Sequence, residues 1–71
     1  MKKHSVELSG HRTSVAIEDK FWQELKKIAT QKSMSLRQLL IHIDNNHTHN
    51  LASAIRLFVL EYYINQNNQP Q

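Results

Sequence analysis

Between Arg12 and Ile17 the chain alternates. Thr13, Val15 and Ile17 fall on one parity, and Arg12, Ser14 and Ala16 on the other. A period of two over six residues predicts a short strand with one apolar face and one polar or small face. A weaker alternation lies upstream, where Val6 and Leu8 are set against Ser5 and Glu7. The period then changes. Phe21, Trp22, Leu25, Ile28 and Ala29 recur at spacings of one, three and four, which predicts an amphipathic helix of about four turns. Glu18 and Asp19 stand where acids suit the positive end of its dipole.

A break at Lys32 to Ser35 ends that helix. Ser35 followed by Gln38 three residues on is a capping-box pattern, and Leu36, Leu39, Leu40 and Ile43 then line one face of a short second helix. After the polar stretch 44–50, Asn50 is a good N-cap for a third helix from Leu51 to about Asn65. That helix has two apolar faces: Leu51, Ile55, Phe58, Val59 and Tyr62 on one, Leu57, Leu60 and Ile64 on the other. In so small a chain the second face predicts burial against a partner subunit.

Length and composition sharpen this expectation. Seventy-one residues make one domain. A domain of this size buries only roughly 60% of the surface its unfolded chain exposes, so its core is marginal. The chain has no cysteine, which excludes disulfides and thiolate zinc sites and points to a reducing cytoplasm. No apolar run approaches the ~18 residues of a membrane span. No apolar signal core follows the opening Met-Lys-Lys-His-Ser, which also predicts a cytoplasmic protein. Self-association remains as the source of extra stability.

The charge is uneven. Residues 1–37 hold eight Lys or Arg against four acids, a net +4, and the remainder holds one against two, a net −1. A basic end suits a polyanion.

A strand without a partner leaves a row of backbone donors and acceptors unsatisfied. Two copies pairing their strands antiparallel about a twofold axis would satisfy them. Val15 and Ile17 would face the helices, and Arg12, Ser14 and Ala16 would face outward. The major groove of DNA admits a two-stranded ribbon. Arginine can read guanine through two bonds, serine can donate or accept, and alanine can touch a thymine methyl. The fold so predicted is mainly α with one short strand, an intertwined homodimer with an intermolecular two-stranded sheet. Its interface set is Val15, Ile17, Leu40, Leu57 and Leu60.

The order of strand, helix, turn and helix over residues 12–44 resembles the ribbon-helix-helix family of DNA-binding proteins. The apolar rhythm Val15, Ile17, Phe21, Leu25, Ala29, with Ser35 opening the next helix, carries the likeness. Two narrower stretches, Gly10 to Ser14 (GHRTS) and Asn50 to Glu61 (NLASAIRLFVLE), are similar to those of small bacterial members with a further helix. The resemblance implies base reading by Arg12, Ser14 and Ala16, and phosphate anchoring at the start of the second helix by Ser35 and Leu36 with Arg37 alongside. Free amides and the helix dipole attract anions there on general grounds. Two departures stand out. Ser33 takes a turn position where the family often has glycine, at a cost on the order of 1 kcal/mol if the left-handed conformation is kept. Ala16 is smaller than the usual outward residue.

The segment Ser5 to Leu8 competes with this picture. It can fold back through Gly10, the only glycine, and pair with the strand as a hairpin. A groove only ~12 Å wide admits two strands and not four, so a hairpin would argue against groove insertion, and its outer strands would bring Glu7 towards phosphate. Residues 1–10 are therefore expected to form a basic arm, ahead of a domain over 11–65 and a disordered tail over 66–71. The arm offers Lys2 and Lys3 to phosphate. Thr13 and His11 share the parity of Val15, and Thr13 adds a further phosphate candidate.

Five histidines raise a metal site. His47 and His49 lie two apart and His42 ends the second helix, but no cysteine or carboxylate cluster joins them beyond Asp44, so no cofactor and no metal is expected. No nucleophile sits in a catalytic pattern, and an enzyme is not expected. Two functions follow. The first is a homodimeric, sequence-specific DNA-binding regulator of bacterial transcription, with stacking of dimers on DNA and any small-molecule effector left open. The second is a protein-interaction module, antitoxin-like, that docks a partner on the apolar third helix.

Overall fold

The computed structural model describes residues 1–45 and 50–67. Strand β1, Lys2–Leu8, and strand β2, His11–Ile17, form a two-stranded antiparallel sheet, followed by helices α1 (Asp19–Gln31), α2 (Leu36–Asn45) and α3 (Leu51–Asn67). Three helices after a short ribbon is the expected order of elements. One partner of the expected strand comes from the same chain: β2 pairs with β1 along one edge, and its other edge is open within the chain. Register runs from Lys2 opposite Ile17 to Leu8 opposite His11, joined by a two-residue turn. Ser9 (φ 50°) and Gly10 (φ 89°) both lie in the left-handed region, as a type I′ hairpin turn demands.

Residues 2–8 are thus a strand of the domain and not the separate arm expected for 1–10. The physical reason is in the alternation. His4, Val6 and Leu8 share the face of Val15 and Ile17, and Leu8 is fully buried in the common core. Pairing also satisfies one edge of β1 and one edge of β2 without a second chain. At the other end α3 continues to Asn67, so Gln66 and Asn67 are helical. The rest of the expected tail, 68–71, lies outside the described residues.

The core lies between sheet and helices. Leu8, Val15 and Ile17 from the sheet meet Trp22, Leu25 and Ile28 of α1, Leu39, Leu40 and Ile43 of α2, and Ala54, Ile55 and Val59 of α3. The helix starts follow the sequence signals. In the capping box the Ser35 amide donates to Gln38 Oε1 (2.9 Å), and the Gln38 amide donates to Ser35 Oγ (3.1 Å). At α3 the Ser53 amide donates to Asn50 Oδ1 (2.8 Å). Glu18 caps α1 without its side chain, because its carboxylate is taken by Arg56 of α3, with Nε to Oε1 at 2.9 Å and Nη2 to Oε2 at 3.2 Å.

The turn after α1 closes as a Schellman motif. The Met34 amide donates to Ala29 O (2.9 Å) and the Ser33 amide to Thr30 O (3.1 Å). Ser33 holds the left-handed position with φ 57°. Ser33→Gly relieves that conformation and is expected to stabilise the protein by about 1 kcal/mol, read as a higher urea midpoint with an unchanged slope. A lowered midpoint would mean that the serine is held by something other than its backbone.

Candidate nucleic-acid interface

The sheet has two unlike faces. The inner one is the core face. On the outer face the register pairs Lys3 with Ala16, Ser5 with Ser14, and Glu7 with Arg12, and all six residues are exposed. Period-two geometry places them there: once Val15 and Ile17 are buried, Ser14, Ala16 and Arg12 must point away. Pairing Arg12 with Glu18 or Asp19 would have been the ordinary use of a surface arginine. Glu18 is instead bound by Arg56, and among the described residues no ion pair or side-chain hydrogen bond holds Arg12.

Glu18 and Glu24 show how the helices beneath are tied together. The Arg56 guanidinium, with a smaller contribution from Glu18's own backbone, holds the Glu18 carboxyl below its usual range. Glu24 is lowered first by the hydroxyl of Tyr63, which donates to it, and that same bond raises Tyr63. Both carboxylates and both of their α3 partners are thereby committed to holding α1 against α3. Tyr62 adds a hydrogen bond to Gln31 Oε1. Beneath β1 the His4 imidazole stacks on Trp22 with ring centroids 4.0 Å apart and planes 9° from parallel, which pins the strand to α1.

The first turn of α2 lies beside β1. Leu36 and Arg37 line a cleft of about 230 Å³ with Ser5, Val6 and Glu7. The capping box uses the amides of Ser35 and Gln38, and the amides of Leu36 and Arg37 have no acceptor within the helix. Ser35 and Arg37 are exposed. One flank of the ribbon therefore offers a helix N-terminus and a guanidinium. The other flank differs. A depression of about 600 Å³ runs along the open edge of β2, from Arg12 to Ala16, to Asn50, Leu51 and Asp44. The carboxylate there makes it a poorer place for an anion.

The remaining candidates distribute as follows. Lys3 lies on the outer face, whereas Lys2, opposite Ile17, has inner parity but is exposed at the sheet end. Thr13 has inner parity, opposite Val6, and is exposed beside the β2 edge rather than on the outer face. Val15, Ile17 and Leu40 are completely buried within the single chain. Leu57 and Leu60 are not: they are 45% and 54% exposed, with Ile64 at 46%. Reasoning from the sequence missed Ser5 and Glu7 as outer-face residues and gave Lys3 only a phosphate role. The alternation of Ser5 and Glu7 with Val6 and Leu8 was the signal, and it needed the Ser9–Gly10 turn to acquire a register. His47 and His49 lie outside the described residues. Among those described, no three His, Asp or Glu cluster as a metal site would require, and no helix is long and apolar enough to cross a membrane.

A polar, cation-bearing ribbon laid over a helical base, with a helix N-terminus at its flank, is the arrangement of a ribbon followed by helices. Residues 1–63 match the family model of the ribbon-helix-helix domain, and the chain belongs to that family, a DNA-binding fold class. The match begins at residue 1 and so takes in β1 with the rest. Neither a curated protein nor a solved structure matches the chain.

Proposed function

We propose that the protein is a homodimeric, sequence-specific DNA-binding regulator of transcription in the bacterial cytoplasm, and that it places the outer face of its ribbon in the major groove. The observation that carries this reading is the exposed row of Arg12, Ser14 and Ala16 on a ribbon backed by the helical core. These residues read bases. Ser35, Leu36 and Arg37 hold phosphate on the β1 flank, assisted by Lys2, Lys3 and Thr13, and such contacts fix register without reading sequence.

The hairpin changes where the second copy belongs. A partner strand added to the open edge of β2 would make four strands, ~14 Å between the outer ones at a spacing of about 4.8 Å. That is wider than the groove of ~12 Å. The chain's own hairpin already has the right width. Val15, Ile17 and Leu40 are used up in the core, so self-association falls to the exposed α3 face of Leu57, Leu60 and Ile64.

The test is a titration of mixed-sequence and selected duplex DNA at increasing salt, with sedimentation of the free protein alongside. Binding should weaken steeply with salt as counterions are released. The free protein should sediment as a dimer. Salt-insensitive or absent duplex binding overturns the reading. A monomer that fails to bind DNA favours the antitoxin-like alternative, in which another protein covers α3.

A further inference from the structure

We propose that α3 pairs in parallel with α3 of a second copy of this chain, as a two-stranded coiled-coil seam in which Leu57, Leu60 and Ile64 interlock and Arg56 of each copy meets the partner's Glu61. The inference rests on the self-association proposed above and deepens it by fixing the direction and register of the second copy.

The spacing comes first. The exposed positions Ser53, Leu57, Leu60 and Ile64 recur at intervals of four, three and four residues. α3 is packed on its own core through Ala54, Ile55 and Val59, so this stripe lies on the side away from that core. A narrow stripe with that repeat is the seam of a heptad, with Leu57 and Ile64 at the a positions and Ser53 and Leu60 at the d positions. Ile64 at a beside Leu60 at d is the combination that favours two strands. The helix is already formed on the core, so pairing carries no nucleation cost.

The shape of the surface fits. A hollow of about 380 Å³ is lined by Ser53, Arg56, Leu57 and Leu60, with Phe21 of α1 along its side. The four α3 positions are i, i+3, i+4 and i+7, which is the hole of four residues that receives one knob from a facing helix. In a parallel twofold pair equal residues lie at equal height, so the knob at that level is the partner's Leu57, and the contact is reciprocal.

Charge sets the direction. Arg56 stands just before the a position of Leu57, and Glu61 just after the d position of Leu60. In a parallel pair these flanking positions of one helix meet those of the other, and Arg56 meets the partner's Glu61 on both sides of the seam. Antiparallel packing would set the two arginines on one side and the two glutamates on the other. Glu61 is exposed, and no ion pair holds it among the described residues. Glu18 binds Arg56 through Nε and Nη2, and Nη1 carries no hydrogen bond among the described residues. The guanidinium is thus fixed beside the hollow with a donor to spare. The seam has no residue in common with the depression along the open edge of β2, so copies can meet on one surface without using the other.

The chain has no cysteine, so introduced single cysteines report which positions of two copies touch. Ser53→Cys, Ile64→Cys and Asn65→Cys are oxidised separately and in mixtures, and Leu60→Glu and Glu61→Lys are sedimented over a concentration series beside the unaltered chain. In the parallel seam Ser53→Cys and Ile64→Cys each cross-link with themselves, and Asn65→Cys, off the stripe, does not. Leu60→Glu should halve the sedimenting mass. Glu61→Lys should weaken association about fivefold or more, since two ion pairs become like-charge pairs. Arg56 is left intact because its loss would also free Glu18. Cross-linking only in the mixture of Ser53→Cys with Ile64→Cys means antiparallel packing, because those positions lie ~16 Å apart along a helix and a disulfide spans less than ~7 Å between Cα atoms. That result overturns the inference and leaves self-association through α3 standing. No cross-link, with Leu60→Glu sedimenting like the unaltered chain, overturns both. Titration of duplex DNA with the unaltered protein shows separately whether the DNA-binding reading fails. Circular dichroism of each variant confirms that the exposed substitutions leave the fold intact.

Discussion

Leu8→Ala is expected to cost about 2–5 kcal/mol, which in a domain of this size removes most or all of its stability. Leu8 is 2% exposed and sits where β1 meets the common core of sheet and helices. Truncating it leaves a cavity in a core built jointly by the sheet and the three helices, which cannot collapse freely to fill it. Val6→Ala, half-buried one step along the same face, should cost much less. Urea denaturation of both variants measures the difference. If Leu8→Ala proved as mild as an exposed substitution, β1 would be a loosely attached arm after all, and the ribbon would need a second chain.

Arg12→Ala is the second large effect. The side chain is exposed on the outer face, with no ion pair among the described residues, so the fold should not register its loss. The bidentate contact with guanine proposed for it should. Specific affinity is expected to fall by about 1–3 kcal/mol with relaxed preference at one base pair. Alanine at Arg37 should behave differently, weakening binding to every sequence alike and reducing the salt slope by about one. Competition titrations against selected and scrambled duplexes separate the two. An unchanged preference on Arg12→Ala would remove that residue from the reading set.

Much of the fold was legible because its signals are local. The capping box at Ser35–Gln38, the Asn50 cap and the left-handed serine after α1 are each decided within a few residues, and each is found where the sequence puts it. The apolar stripes of α1 and α2 are equally local, and the two faces of α3 separate as its sequence suggests, with Ile55 and Val59 buried and Leu57 and Leu60 exposed. The strand's partner was not legible in the same way. Residues 2–8 carry a weak alternation, with His4 on the inner face where an aliphatic residue would have given a clear signal. What makes His4 acceptable there is its stack on Trp22, eighteen positions away in the chain, which no local pattern reveals. Pairing within the chain also competes with pairing between chains at similar backbone gain, and the register that decides between them is set by the turn.

On the site, the parity of Arg12, Ser14 and Ala16 followed from Val15 and Ile17 alone. The other half of the outer face did not, since it depends on which residues of β1 lie opposite. The fork between Glu18 and Arg56 joins residues of α1's cap and α3, a long-range pairing that commits Glu18 to α3. The distribution of charge in the sequence could place the basic residues in one half but could not assign partners.

The left-handed turn at Ser9–Gly10 has a consequence for the kind of site the ribbon can choose. A ribbon made by two identical strands related by a twofold axis displays the same side chains twice, in opposite directions, so whatever it selects under its centre must be its own inverted repeat. A ribbon made by two different strands of one chain is under no such constraint. Lys3, Ser5 and Glu7 can change without touching Arg12, Ser14 and Ala16. On the proposed DNA-binding reading each subunit would then select an asymmetric word, and any palindrome in the bound site would lie between the words of two subunits, at a spacing set by how the α3 faces meet.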